Sequence, residues 1–406
     1  MRVAITGIGV IGPHGVGTDR YWEALCEGRS GIRRLTAPTL QGLEATAGGE
    51  IPDFDATSFM ERRVARRMGR FSQLAVAATT LALADAGIDE LEAERTGITV
   101  HTGAGGIIEG DRELLARAND PGRIGPLYVP LLSANMGAAN VAIHFGVTGP
   151  VTAGVGACAA GAIGVAEGFH LLRRGEADLV LAGASDAALT APLVACLSNA
   201  GALSTAAGDP QTISRPFDLD RTGFVPSEGA AMLVLEPVER ARARGAAVYC
   251  EVAGAAIGCD AFHITSPEPT GAGAERAIRQ ALVNAEVGAA DVDCVIAHGT
   301  GTKLNDAAEA GAIARVFDGR RVPVTAPKSI VGHTHGAAGA FGVATGALAV
   351  RHGTIPPSIN YDTPDPDCPL DLVHGAPRRA GLGAAIVNAF GFGGQNAVVV
   401  LRAAPV

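Results

Sequence analysis

The chain has 406 residues, 48% hydrophobic, 18% charged and 4% aromatic, with 55 glycines and a net charge of −9. That length suits two ordinary domains or one large double unit, the acidity argues against general nucleic-acid binding, and no apolar run reaches the roughly 18 residues of a membrane-spanning helix. Seven cysteines with no CxxC pair argue against a disulfide framework or a zinc site and make a reducing cytoplasm the expected compartment.

In chain order, "MRVAITGIGVIGPHG" reads as a first buried strand and turn rather than a leader. "MERRVARRMGRF" (Met60 to Phe71) carries five arginines within nine residues, either a solvated helix face or a docking patch for an acidic partner. "ATTLALADAGI" (Ala78 to Ile88) reads as a helix, followed by an acidic loop and the strand "GITVHTGAG" ending at Gly105. "ACAAGAIGVAEGFHLLRRG" (Ala157 to Gly175) is an unbroken helix whose Gly161, Gly164 and Gly168 each cost roughly 1 kcal/mol relative to alanine. A charged helix, "EPVERARARGA", marks a seam near residue 246, dividing the chain into halves 1–245 and 246–406. The second half repeats the order: "AIRQALVNAEV" (Ala277 to Val287), the strand and glycine turn "DCVIAHGTG" ending at Gly301, and a helix with Asp306 and Glu309. "APKSIVGHTHGAAGA" then leads into "AAGAFGVATGALAVRHG" (Ala337 to Gly353), which matches Ala159 to Gly175 at 10 of 17 positions.

The offset of 178 residues between these glycine-rich helices implies two α/β halves related by a pseudo-two-fold axis. Small residues would let the paired helices approach closely at the centre. The first helix opens with Cys158, and Gly336 takes its place in the second. A thiol at a helix N-terminus is expected to have a lowered pKa, and the N–H groups there can hold a developing oxyanion. Cys196, Cys250 and Cys294 read instead as small buried residues. Of the histidines, His298 closes an apolar strand, and His333 and His335 both precede the second glycine-rich helix; position alone does not choose between those two.

Cys158 in "GACAAGA", His298 in "HGTGTKLND", Lys328 and His333 in "KSIVGHTHGAAGA", and the closing "NAFGFGGQNAVVVL" resemble the β-ketoacyl-acyl carrier protein synthases of elongating, type II fatty-acid and polyketide systems. "SRPFDLDRTGFVPSEGAAMLVLE" and "DAFHITSPEPTG" extend the resemblance, which runs along essentially the whole chain. It implies a thiolase-like α/β fold of two pseudo-two-fold-related halves in α-β-α-β-α layers. It also implies an acyltransferase that condenses a malonyl unit with an acyl chain on Cys158, with His298 and His333 donating to the enolate. Lys328 and Glu309 match a supporting pair that orients the histidine region, and Phe392 matches an oxyanion donor and a gate over the acyl channel. Ile107, Ile108 and "APLVACLSNAGALST" match positions of the acyl channel or dimer interface, and Arg63, Arg66 and Arg67 match positions that dock the acyl carrier protein. The resemblance calls for no metal or organic cofactor, since substrates arrive on the carrier's phosphopantetheine. It implies a homodimer, or a heterodimer with a chain-length-factor-like subunit, and no nucleic-acid or membrane partner.

Several positions depart from the family pattern: Gly156 where threonine is usual, "CAAG" for "CASG", "AGASDA" (Ala182 to Ala187) for a more glycine-rich strand end, and Gln395 for threonine. With the alanine- and arginine-rich composition, they favour type II polyketide over housekeeping fatty-acid synthesis. A degradative thiolase would need a further cysteine in the C-terminal glycine loop, whereas Cys368 is the last in this chain. A non-catalytic chain-length factor would lack Cys158.

Overall fold

The computed structural model describes residues 1–36, 40, 43, 45, 47–117 and 119–404. The β-branched runs become strands β1 (Val3–Gly12), β2 (Thr96–His101), β3 (Val151–Thr152), β4 (Leu179–Asp186) and β5 (Gly229–Pro237) in the first half. The second half supplies β6 (Cys250–Cys259), β7 (Cys294–Ile296), β8 (Pro323–Thr325), β9 (Asp371–Leu372), β10 (Ala384–Gly391) and β11 (Gln395–Arg402). They line up as β9-β8-β7-β10-β11-β6-β1-β5-β4-β2-β3. The halves join where Val3–Ile5 of β1 pairs antiparallel with Cys250–Val252 of β6. Outward from that seam, each half runs through two antiparallel pairings and then two parallel ones, and the second half adds a third parallel pairing, β8 with β9. The order of strands and their directions therefore repeat, as the sequence echo leads one to expect.

The helices that position the site are α1 (Arg62–Ala65), α2 (Arg70–Ala86), α3 (Ile107–Arg117), α4 (Ala160–Arg173), α5 (Ala272–Ala285), α6 (Lys303–Val316) and α7 (Ala338–His352). Side-chain alternation along the strands sorts them into layers. On β5, Ala231, Leu233 and Leu235 face the central core with α4 and α7, while Ala230, Met232 and Val234 pack with α2. On β11, Ala397, Val399 and Leu401 face the same centre, while Val398 and Val400 pack with α5 and α6. The result is the five-layered α-β-α-β-α arrangement, with α4 and α7 sandwiched between the sheet halves. No helix among the described residues is long and apolar enough to cross a membrane.

Helices wholly enclosed by protein need apolar side chains all round, and α7 is buried from Ala338 through Ala349. Close approach also requires small ones. A Cβ on Gly161 would lie 2.4 Å from the Ala340 nitrogen, and one on Gly339 would lie 2.5 Å from the Ala162 nitrogen. These two contacts are the same contact seen from either side of the pseudo-two-fold. Just upstream of each helix the backbone turns through a left-handed residue, Ala157 (φ 45°) before α4 and His335 (φ 48°) before α7. Non-glycine residues hold such angles only where the surroundings enforce them, and the two lie 178 residues apart, like the helices.

Gly161→Ala tests this packing. The substitution gains up to about 1 kcal/mol of helix propensity, but a methyl at 2.4 Å from a backbone nitrogen must push the helices apart. Overpacking of a tight core costs about 1–3 kcal/mol, so thermal melting should show net destabilisation. An unchanged or raised melting temperature would refute the close contact.

Candidate active site

Cys158 lies in the single 3₁₀ turn Ala157–Ala159 that caps α4. The sharp turn at Ala157 carries the thiol out of the central layer and leaves it half-buried, its open side on a pocket of 270 Å³. The backbone N–H groups of Phe392 and of Cys158 itself lie near enough to Sγ to act on its charge. Phe392 begins the turn Phe392–Gly394 between β10 and β11, where Gly393 and Gly394 take φ of 79° and 73°. Gly391, at the end of β10, keeps that approach open: a Cβ would stand tightly, 3.0 Å from the Cys158 nitrogen and 3.1 Å from that of Ala159.

The expected low thiol pKa is not what the site produces. Burial pushes the Cys158 thiol up to about 11, with the charge of Asp186 adding to the rise; Lys328 and the two N–H groups pull the other way without prevailing. The helix mouth is a local effect of a few N–H dipoles, whereas loss of solvent on the protein side of the thiol acts on the whole charge. The resting form is the thiol.

His298 and His333 stand across the pocket from Cys158. His298 follows β7 by two residues, in a loop pinned to α6: its N–H and that of Gly299 each donate to the Glu309 carboxylate at 2.8 Å. Lys328 donates to the His298 carbonyl and lies 3.3 Å from its Nδ1. A cation at Nδ1 makes that nitrogen the acceptor, so the ring proton resides on Nε2. His333 is fixed by its backbone, N–H to the Val225 carbonyl at 2.7 Å and carbonyl to the Ser227 N–H at 2.8 Å. Its ring meets that of His298 edge-on at 5.6 Å and that of Phe224 at 4.9 Å. Burial holds both imidazoles well below the ordinary histidine range, helped by the Lys328 charge. Both are neutral near pH 7. Lys328 itself is drawn down to about 8 by burial, while Glu309 and Cys158 oppose the shift. Glu309 is raised by burial, against hydrogen bonds from Gly299, Asn388 and His298.

The site thus gathers Cys158, His298, His333, Lys328, Glu309 and Phe392 from both halves. His335 lies outside the pocket lining, stacked on His333 at 5.6 Å. Ile107 and Ile108 are not brought to this pocket: they are half-buried at the start of α3, Ile108 against the core around α2. From "APLVACLSNAGALST", Ala200, Gly201 and Ala202 do line it. Arg63, Arg66 and Arg67 are exposed in and after α1 and make no ion pair among the described residues. Arg70 belongs to the framework instead, bonded to Glu228 at 2.6 Å and to the Ile51 carbonyl at 2.9 Å, and lying over the Phe54 ring. The residue that sequence reasoning passed over is Asp186. It was visible only as part of an unusual strand end, and its partners lie far away along the chain.

A model of the β-ketoacyl synthase N-terminal domain matches residues 1–241, and one of the C-terminal domain matches residues 249–362. The 3-oxoacyl-[acyl-carrier-protein] synthase 2 of Synechocystis is 40% identical over 406 residues, which cover 99% of this chain and 98% of that protein. Among solved structures, the ishigamide ketosynthase/chain length factor superposes with a TM-score of 0.93 at 38% identity, covering 100% of this chain and 99% of its own. A type II polyketide ketosynthase in complex with its acyl-carrier protein and bound to the hexaketide gives 0.92 at 30% identity, with the same coverage. Sequence, fold and site agree: the chain belongs to the β-ketoacyl synthase family, acyl-transferring condensing enzymes of thiolase-like fold.

Proposed function

We propose that the chain elongates an acyl group held on Cys158 by decarboxylative condensation with a carrier-bound malonyl unit. One observation carries the reading: the Phe392 and Cys158 N–H groups lie near enough to Sγ to act on its charge while two neutral imidazoles face it across the same pocket. In the first step Sγ attacks the acyl thioester, and the carrier's phosphopantetheine thiol leaves with a proton. The two N–H groups hold the tetrahedral oxygen. In the second step the malonyl C–C bond breaks, CO₂ leaves, and its electron pair passes to the thioester oxygen as an enolate. His298 Nε2–H and the His333 ring donate to that oxygen; a charged imidazolium would surrender its proton, whereas a neutral ring only donates. The enolate carbon then attacks the acyl carbonyl, and the Cys158 thiolate is released and reprotonated. Lys328 and Glu309 act by orienting the His298 loop. The substrates bring all the reactive groups needed, so the reading requires no free cofactor.

The division near residue 246 follows the same logic, placing the nucleophile in one half and both histidines in the other. The carrier partner, assembly as a homodimer or with a chain-length-factor-like subunit, and a cytoplasmic setting go with this reading. As for pathway, fatty-acid elongation has the stronger support, because the Synechocystis relative named as a 3-oxoacyl-carrier-protein synthase is 40% identical. Polyketide extension, favoured by the sequence departures, is supported by the ishigamide and hexaketide-bound structures at 38% and 30% identity. Comparing saturated with β-keto primers of equal length decides between them: preference for the saturated primer selects the first.

Mass spectrometry after incubation with an acylated carrier protein should find the acyl group on Cys158 alone. His298→Ala and His333→Ala should each cut malonyl decarboxylation by about 10²-fold or more while acyl loading persists. Loading on another cysteine would overturn the assignment.

The raised thiol pKa gives a pH profile. With a value near 11, only about 10⁻⁴ of Cys158 is thiolate at pH 7, and that fraction grows as pH rises toward the pKa. Alkylation of Cys158 by iodoacetamide should therefore climb continuously from pH 6 to pH 9. A plateau already reached at pH 7 would mean that the helix mouth does stabilise a resting thiolate.

Replacing Arg63, Arg66 and Arg67 with glutamate should raise KM for carrier-bound substrates at least about fivefold, with salt weakening the native enzyme in the same direction. Turnover of small thioester mimics should hardly change. Equal losses on both would place the cluster in folding or catalysis rather than docking.

A further inference from the structure

The two elbows are built alike but are completed differently. β4 and β10 each have eight residues, and each pairs antiparallel with the last strand of its half. Their final residues, Asp186 and Gly391, thus hold matching places. Gly391 has no side chain, and this leaves the N–H of Cys158 open toward the reacting carbonyl. In the other half, the residue 178 positions after Cys158 is Gly336, and its N–H donates to Asp186 Oδ2 at 2.6 Å. A carboxylate oxygen therefore sits at the second elbow where the first elbow leaves room for an oxyanion.

We propose that Asp186 is a positioning residue of the condensing site, a built-in anion that occupies the second elbow and locks it against the first. Asp186 Oδ2 also accepts from the Gly103 N–H at 2.7 Å, and Oδ1 accepts from Thr102 Oγ1 at 2.7 Å and the Ala104 N–H at 3.1 Å. The loop after β2, the end of β4 and the second elbow are thereby tied at one point. The first elbow abuts the same point, since a Cβ on Gly103 would lie 2.9 Å from the Gly336 nitrogen and 3.3 Å from the Ala157 carbonyl. Asp186 is fully buried and has no cationic partner among the described residues. A buried carboxylate held only by neutral donors costs stability, so the negative charge calls for an explanation beyond packing. Its charge bears on Cys158: of the charged groups facing that thiol, Lys328 favours the thiolate, whereas Asp186 disfavours it. His298 and His333 face it as neutral rings.

The inference rests on Cys158 being the nucleophile, and two substitutions separate the ideas. Asp186→Asn keeps one oxygen for the Gly103 and Gly336 N–H groups and removes the charge. It should condense within about threefold of wild type while its Cys158 is alkylated at least threefold faster at pH 8. Asp186→Ala removes the lock and should lose condensation at least tenfold, measured per Cys158-acylated enzyme, with loading retained. Wild-type condensation in Asp186→Ala would overturn the proposal, as would parallel loss of loading and condensation. If Asp186→Ala does not fold, Asp186→Asn decides: unchanged alkylation overturns the proposal, and faster alkylation with condensation retained supports it. Iodoacetamide alkylation needs no turnover, so it reads the Asp186–Cys158 coupling even where wild-type loading occurs at another residue, a result that would defeat the nucleophile assignment alone.

Discussion

The structure depends on one close contact, the crossing of α4 and α7 where Gly161 meets Ala340 and Gly339 meets Ala162. Glycines inside helices cost stability, yet any larger residue here would separate the two sheet halves. The contact does more than fill the centre. Each helix begins with an elbow, and holding the helices together by their first turns holds the elbows together as well. Cys158 from one half and His333 from the other can then face one pocket without either being carried on a long loop. Sites on rigid elements hold their geometry better than sites on loops, and here the rigid element is the junction between the halves.

Because the junction is in the core, its titratable groups are largely buried, and one cause explains shifts of opposite sign. Desolvation raises the acids Cys158, Asp186 and Glu309 and lowers the bases His298, His333 and Lys328. For the imidazoles this is useful, since a neutral ring donates a hydrogen bond without giving away the proton. For Cys158 it opposes ionisation, so the N–H groups of Phe392 and Cys158 matter most once charge begins to develop on sulfur and oxygen. A preorganised set of donors in a low-dielectric pocket acts most strongly on such transient charge.

The architecture was legible because the chain repeats itself: the glycine-rich helices, their offset and the strand-end histidines are local patterns. Cys158, His298, Lys328 and His333 were legible because each sits in a short, distinctive stretch. What escaped was tertiary. Asp186 lies 150 residues from the Gly336 N–H it accepts from and 84 from Thr102, so no window of sequence contains its role. The Cys158 pKa went the other way because the helix mouth is visible in sequence and the burial around it is not. Arg70 looks like its neighbours in "MERRVARRMGRF", and only Glu228, far along the chain, marks it as framework rather than exposed surface. Ile107 and Ile108 carry apolar side chains at matching positions, but the start of α3 does not turn them into the 270 Å³ pocket.

Pseudo-symmetry also sharpens how function enters a repeated frame. Both halves run a strand into a histidine and a glycine turn, His101 as the last residue of β2 and His298 just after β7. His101 is 1% exposed, and its Nε2 lies 3.0 Å from the Glu167 carboxylate on α4. The nitrogen that could have donated into a site is thereby committed to a structural partner. At His298 the partner is a cation, Lys328, which approaches the carbonyl and Nδ1 and leaves Nε2–H unclaimed. The residue type and its place in the fold are the same in both halves. The difference lies in the charge of the neighbour, since an anion consumes the ring's donor and a cation frees it. The same reasoning separates Cys158 from Gly336 and Gly391 from Asp186: in each pair one member closes a contact, and the other leaves a group available for chemistry.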